Sequence, residues 1–141
     1  MSLYHQDYQQ WLDHQIHLIR SGRVQELDVD HLIEEMEEMG VGNRRALASH
    51  LIILLAHLLK WRFQPEHRSS GWRGTIIEQR VQIEDLLETS PSLRRLIPEA
   101  LERAYPKALR IAAKETGIAQ DRFTETPPFS IEQILNEDYY P

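Results

Sequence analysis

Three observations predict an all-α protein. Apolar residues recur at helical spacing along most of the chain, cap residues, glycines and prolines punctuate those segments, and no run alternates with period two. The chain has 141 residues, the size of one domain, and reads as a single helical domain over 1–141. The pattern is a bundle of about six helices packed around a central buried helix at about 43–64.

From Gln6 to Ser21, Tyr8, Trp11, Leu12, Ile16 and Ile19 share one helical face, and Gly22 ends the segment. Asp28 is placed to cap a second helix reaching Met39, with Leu27 and Leu32 as a hydrophobic staple and Gly40 as its stop. Asn43 caps a third helix that continues to Gln64, where Pro65 forbids propagation. Its apolar residues cover nearly the whole circumference, the mark of a buried central helix.

A fourth helix over about 72–88 carries Trp72, Ile76, Ile83, Leu86 and Leu87 on one side. Ser90 and Pro91 open the next segment, Pro98 starts a fresh helix after a short turn, and Pro106 is expected to kink it before Thr116 and Gly117 close it. Ser130 and Gln133 stand at capping-box spacing and predict a short helix to Asn136.

Composition excludes several classes of chemistry. With no cysteine there is no disulfide framework, thiolate nucleophile or cysteine-held metal. Sixteen Lys and Arg against 22 Asp and Glu give a net charge of −6, which disfavours binding to nucleic acid or an anionic membrane. The polar start of the chain and an apolar run confined to Leu51–Leu59 predict neither a secretory signal nor a membrane span, hence a cytoplasmic protein. Phosphate-binding glycine loops and serine nucleophile elbows are absent too, and no cofactor is expected.

Polar residues at inward helical positions are the candidate site. On the central helix Ser49, His50, His57, Lys60 and Gln64 form a strip. Gln79 interrupts the apolar face beside Trp72, Arg80 stands at its edge, and Glu115 shares a face with Leu101, Ala104 and Ala108. Buried polar groups need partners, so His57, Lys60, Gln79 and Glu115 are expected to converge on one side of the central helix, with Trp72 and Arg80 close by. The plainer reading makes His57 a satisfied core histidine and Lys60 a lysine reaching water along its stem.

Seven carboxylates and no Lys or Arg occupy Glu26–Glu38. If the chain reversed near Val41, His31, Glu34 and Glu35 would face His50, a donor set suited to zinc or iron. The same residues read more simply as a solvated acidic face. Between Lys60 and Gly74 the charge reverses, with Lys60, Arg62, Arg68 and Arg73 interleaved with Trp61, Phe63 and Trp72. Such a basic stretch answers the acidic helix, within one molecule or across a homodimer, better than it answers nucleic acid.

Five ordered stretches carry a resemblance: L-I-E-E-M-E-E at 32–38, H-L-L-K-W at 57–61, W-R-G-T-I-I-E-Q-R at 72–80, S-P-S-L at 90–93 and S-I-E-Q-I-L at 130–135. In this order they resemble a bacterial family known only as domain of unknown function number 29. The resemblance spans essentially the whole chain and implies an all-helical fold in the bacterial cytosol. It brings no activity, ligand or catalytic residue. Relatives often carry a Cys-Pro pair before the final helix, where this chain has Pro127 and Pro128. The functional expectation is therefore a small helical binding module for a protein partner or for itself. The alternative is an enzyme or metal site on His57, Lys60, Gln79, Arg80 and Glu115, or on His31, Glu34, Glu35 and His50.

Overall fold

The first helix of the computed structural model, which describes residues 2–141, is a single turn, α1 (Leu3–Gln6), and α2 (Tyr8–Arg20) follows at once. Asp7 separates them and caps α2 by accepting from the Gln10 backbone N–H at 3.0 Å. Gly22 has φ 74°, the left-handed conformation that closes the helix end without a Cβ clash. Four further helices complete the chain: α3 (Val29–Phe63), α4 (Ser70–Thr89), α5 (Ile97–Thr116) and α6 (Ile131–Leu135). The described residues contain no strand, and the protein is all-α, as its periodicity predicts.

One boundary differs from the sequence pattern. Gly40 does not stop a helix; α3 continues through Gly40 and Gly42 for 35 residues. A glycine in a helix interior costs only about 1 kcal/mol relative to alanine, and good helix formers on both sides outweigh that. Neither glycine has a positive φ. The second and third predicted helices are one element.

Contacts divide the chain into two compact units, Met1–Gly42 and Asn43–Pro141. In the first, Trp11, Gln15 and Leu18 are the buried positions of α2, spaced as one helical face. In the second, the Asn43–Phe63 part of α3 is the central element and packs against α4 and α5. Leu51, Leu54, Leu55, Leu58 and Leu59 are fully buried there, joined by Ile76 and Ile83 from α4 and by Ile97 and Ala108 from α5. Burying side chains of this kind stabilises a fold by roughly 1.5–3 kcal/mol each for the larger ones.

The remaining ends follow local chemistry. Pro65 stands just past α3, Ser69 caps α4 through the Trp72 N–H, and Gly117 closes α5 at φ 76°. Pro91–Leu96 forms a 3-10 segment, after which α5 runs without a break through Pro106. Seven buried residues on one face of α5, among them Leu101, Ala104 and Ala112, hold it helical where proline removes a hydrogen bond. Ser130 and Gln133 form the expected capping box.

By length, and with a mean hydropathy of 1.3 over an 18-residue window, α3 meets the dimensions of a membrane span, but half of that window is buried inside the protein.

Candidate functional site

Lys60 is the cation at the heart of the second unit. Its Nζ donates to Glu115 Oε2 at 2.6 Å and lies 5.0 Å from the centre of the Trp72 ring. The lysine side chain is 7% exposed and the glutamate 52%, so the pair runs from the core to water. The carboxylate and the aromatic face stand in for the water that a buried ammonium loses.

The other inward residues find different partners. Gln79 accepts from His50 Nδ1 at 2.6 Å, not from His57. His57 Nδ1 donates to the Ile53 carbonyl one turn back on its own helix, at 2.9 Å. Burial, reinforced by the Lys60 charge, pulls the His57 pKa below the ordinary histidine value. The four residues expected in one network thus form separate contacts: Lys60 with Glu115, Gln79 with His50, and His57 with the backbone. Among the described residues every buried side-chain nitrogen and oxygen has a hydrogen-bond partner, so no orphan group points at an absent ligand.

Arg80 holds the C-terminal segment. Its Nε donates to the Ile134 carbonyl at 2.9 Å and its Nη2 to the Gln133 carbonyl at 3.3 Å, while Nη1 lies 3.5 Å from the Glu137 carbonyl. Ile134 and Gln133 lie in the last turns of α6, where backbone carbonyls run out of intrahelical donors; the Gln133 carbonyl also accepts from the Asn136 N–H at 3.3 Å. The guanidinium also covers the Tyr140 ring at 5.5 Å, and Arg73 covers it at 4.6 Å. Arg68 donates to the carbonyls of Trp61 and Pro141 at 2.8 and 3.0 Å. From the basic, aromatic stretch after Lys60, Trp61, Arg68 and Arg73 thus clamp Tyr140 and Pro141, while Arg80 holds residues 133–137. Beside the clamp lies a groove of about 470 Å³ with Arg80, Glu84, Glu88 and Arg94 among its walls.

A second groove, about 420 Å³, runs between α3 and α5. Leu47, Ala48, Ile52, Leu96, Ala100 and Ala104 supply its apolar lining. Arg44, Arg103 and Lys107 stand in the same wall with one carboxylate, Glu99, which holds Arg103 at 2.9 Å. Arg44 and Lys107 make no ion pair among the described residues. Ala48, Ala100 and Ala104 are the small side chains of this lining.

The first unit has a polar aromatic cluster that sequence reasoning missed. Tyr4 and Tyr8 donate to the two oxygens of Glu35 at 2.5 and 2.6 Å. Trp11 Nε1 donates to Asp28 Oδ2 at 2.9 Å, and His31 Nδ1 donates to the same oxygen at 2.6 Å. The Tyr4 ring stacks on His31 with centres 4.0 Å apart, and Gln15 Oε1 accepts from the Asp28 backbone N–H at 2.8 Å. The His31 contacts hold Asp28 below the usual aspartate range, with Trp11 assisting. Hydrogen bonds from Tyr4 and then Tyr8 hold Glu35 low in the same way. The i, i+4, i+7 spacing of Tyr4, Tyr8 and Trp11 was the available signal.

This geometry corrects the proposed metal cluster. The reversal near Val41 that would set His50 opposite His31, Glu34 and Glu35 does not occur, because α3 is unbroken there. His31, Glu35 and His50 each have another partner, Asp28, the two tyrosines and Gln79 respectively. No group of three His, Asp or Glu among the described residues is arranged to hold a metal ion.

No curated protein and no solved structure matches this chain. A family model does, over residues 3–140, and with nearly every described residue inside that match the chain belongs to the family described as Domain of unknown function DUF29.

Proposed function

We propose that the protein is a bacterial, cytosolic binding module whose partner presents an apolar helical stripe edged with carboxylates, received by the groove between α3 and α5. One observation carries this reading: an apolar groove with two cations, Arg44 and Lys107, that form no ion pair among the described residues. An amphipathic helix laid in such a groove buries its apolar face and places its acids against those cations. The half-buried window of α3 is what a core helix of a soluble protein presents.

A labelled synthetic helix with leucines at i, i+4 and i+7 flanked by glutamates tests it by fluorescence anisotropy. Binding is expected, weaker at higher salt and at least about tenfold weaker for Lys107→Glu, since buried charge contacts are worth more than 1.4 kcal/mol. The same peptide with lysine flanks is expected not to bind. Equal binding of both peptides, or of neither, overturns the reading.

A further inference from the structure

The first unit carries a face of the kind that the groove receives. On the Val29–Gly42 part of α3, Val29, Ile33 and Met36 recur at i, i+4 and i+7, within about 60° of one another at 100° per residue. All three are exposed, Met36 to 62%, and Met39 beside them to 64%. A row of large apolar side chains this open to water marks an interaction surface. Asp30 and Glu37, seven residues apart, line one edge of it, with Glu34 and Glu38 further round.

The acids of this segment fall into two groups. Glu26 is paired with Arg23, Asp28 with His31 and Trp11, and Glu35 with Tyr4 and Tyr8. Asp30, Glu34, Glu37 and Glu38 have no side-chain hydrogen bond or ion pair among the described residues. The carboxylates left without partners are therefore those that accompany the exposed apolar row.

We infer that a second copy of this chain occupies the groove, inserting its Val29, Ile33 and Met36 row between α3 and α5 with Asp30 and Glu37 against Arg44 and Lys107. This rests on the reading of the groove as a receptor for an acidic amphipathic helix, and it names that helix. Charge complementarity selects it: an unneutralised acidic edge and an unneutralised basic groove occur in the same chain. Intramolecular docking is ruled out by the backbone, because Met36, the last residue of the row, and Arg44, the first of the Arg44–Ile52 wall, lie eight residues apart on one unbroken helix. Two-fold closure uses the contact twice, and the interface is then isologous.

Sedimentation equilibrium of the full chain over a concentration series is the test, with Lys107→Glu and Glu37→Lys as separate variants. Both positions are exposed, so neither substitution disturbs the core. The wild type is expected at twice the chain mass and each variant at the chain mass. An equimolar mixture of the two variants is expected to associate again. In that mixture each groove meets a stripe of opposite charge: the altered groove meets the altered stripe, and the native groove the native one. Met36→Asp is expected to dissociate the dimer and not to be rescued.

A wild type that stays at the chain mass, while the glutamate-flanked peptide binds, overturns self-docking and leaves the groove a receptor for another protein. Absence of both self-association and peptide binding removes the two readings together. A dimer that survives Lys107→Glu and Glu37→Lys uses another surface, and that also overturns the proposal.

Discussion

Lys60 and Glu115 lie 55 residues apart in sequence and 2.6 Å apart in space, the lysine buried and the glutamate half in water. Replacing Lys60 by alanine removes the packing of its stem as well as the charge. The loss is expected to be about 2–4 kcal/mol in chemical denaturation, since breaking a buried pair costs far more than breaking a surface one. His57→Leu is expected to lose less than about 1 kcal/mol, because an apolar group of similar volume replaces a side chain bonded only to a carbonyl of its own helix. Equal large losses for the two variants would show that the imidazole is needed where it stands.

The His57 pKa lies below 6.5 because burial and the Lys60 charge oppose protonation more than the Ile53 carbonyl and Glu115 favour it. The folded state therefore prefers the neutral ring. Its contribution is fully present above pH 6.5 and is lost as pH falls through the lowered value in the folded chain. Urea midpoints measured between neutral and mildly acid pH are expected to fall across that window. With His57→Leu the slope is expected to flatten; an unchanged slope would assign it to other groups.

The Glu35 carboxylate pushes the Tyr4 phenol up to about 12 by accepting its hydrogen bond. The folded chain holds the proton more tightly than the unfolded one, so this contribution is complete below pH 10 and is lost as pH rises through about 12. Glu35→Gln is expected to bring the Tyr4 ionisation back toward 10, followed by tyrosinate absorbance with Tyr8→Phe as background. Tyrosine titration indifferent to the glutamine would show that the contact does not persist in solution.

Arg80→Lys keeps the charge and loses the fork that reaches the carbonyls of Gln133 and Ile134 together. Destabilisation of about 1–3 kcal/mol is expected from the Ile134 carbonyl left without its donor. Amide exchange should rise specifically over 131–141. Protection there equal to that of the parent chain would mean that Arg68 and Arg73 suffice to hold the segment.

Helix ends fixed by local chemistry were legible from the sequence: the Ser130 and Gln133 box, the left-handed glycines at 22 and 117, and the proline after Phe63. Gly40 misled because a small intrinsic penalty signals a stop only where nothing else sustains the helix. Inward phase placed Lys60 and Glu115 in one expected group with His57 and Gln79, of which the structure pairs these two. Phase could not tell whether Gln79 meets His57 or His50, because both histidines belong to one strip about two turns apart along α3. The Tyr4, Tyr8 and Glu35 contacts escaped for another reason: the spacing of Tyr4, Tyr8 and Trp11 marks a shared face but does not say which carboxylate of α3 that face meets.

The three tryptophans fall into chemically different settings, and that makes the protein its own spectroscopic reporter. Trp11, bonded to Asp28, belongs to the first unit; Trp61 lies under Arg68 and Arg73 beside Tyr140, and Trp72 under the Lys60 ammonium, both in the second. Single-tryptophan variants would emit from one unit at a time, so the melting of each can be followed without a label. A red shift of Trp11 at lower denaturant than that of Trp61 would give the two units separate stabilities, and coincident shifts would make them one cooperative fold.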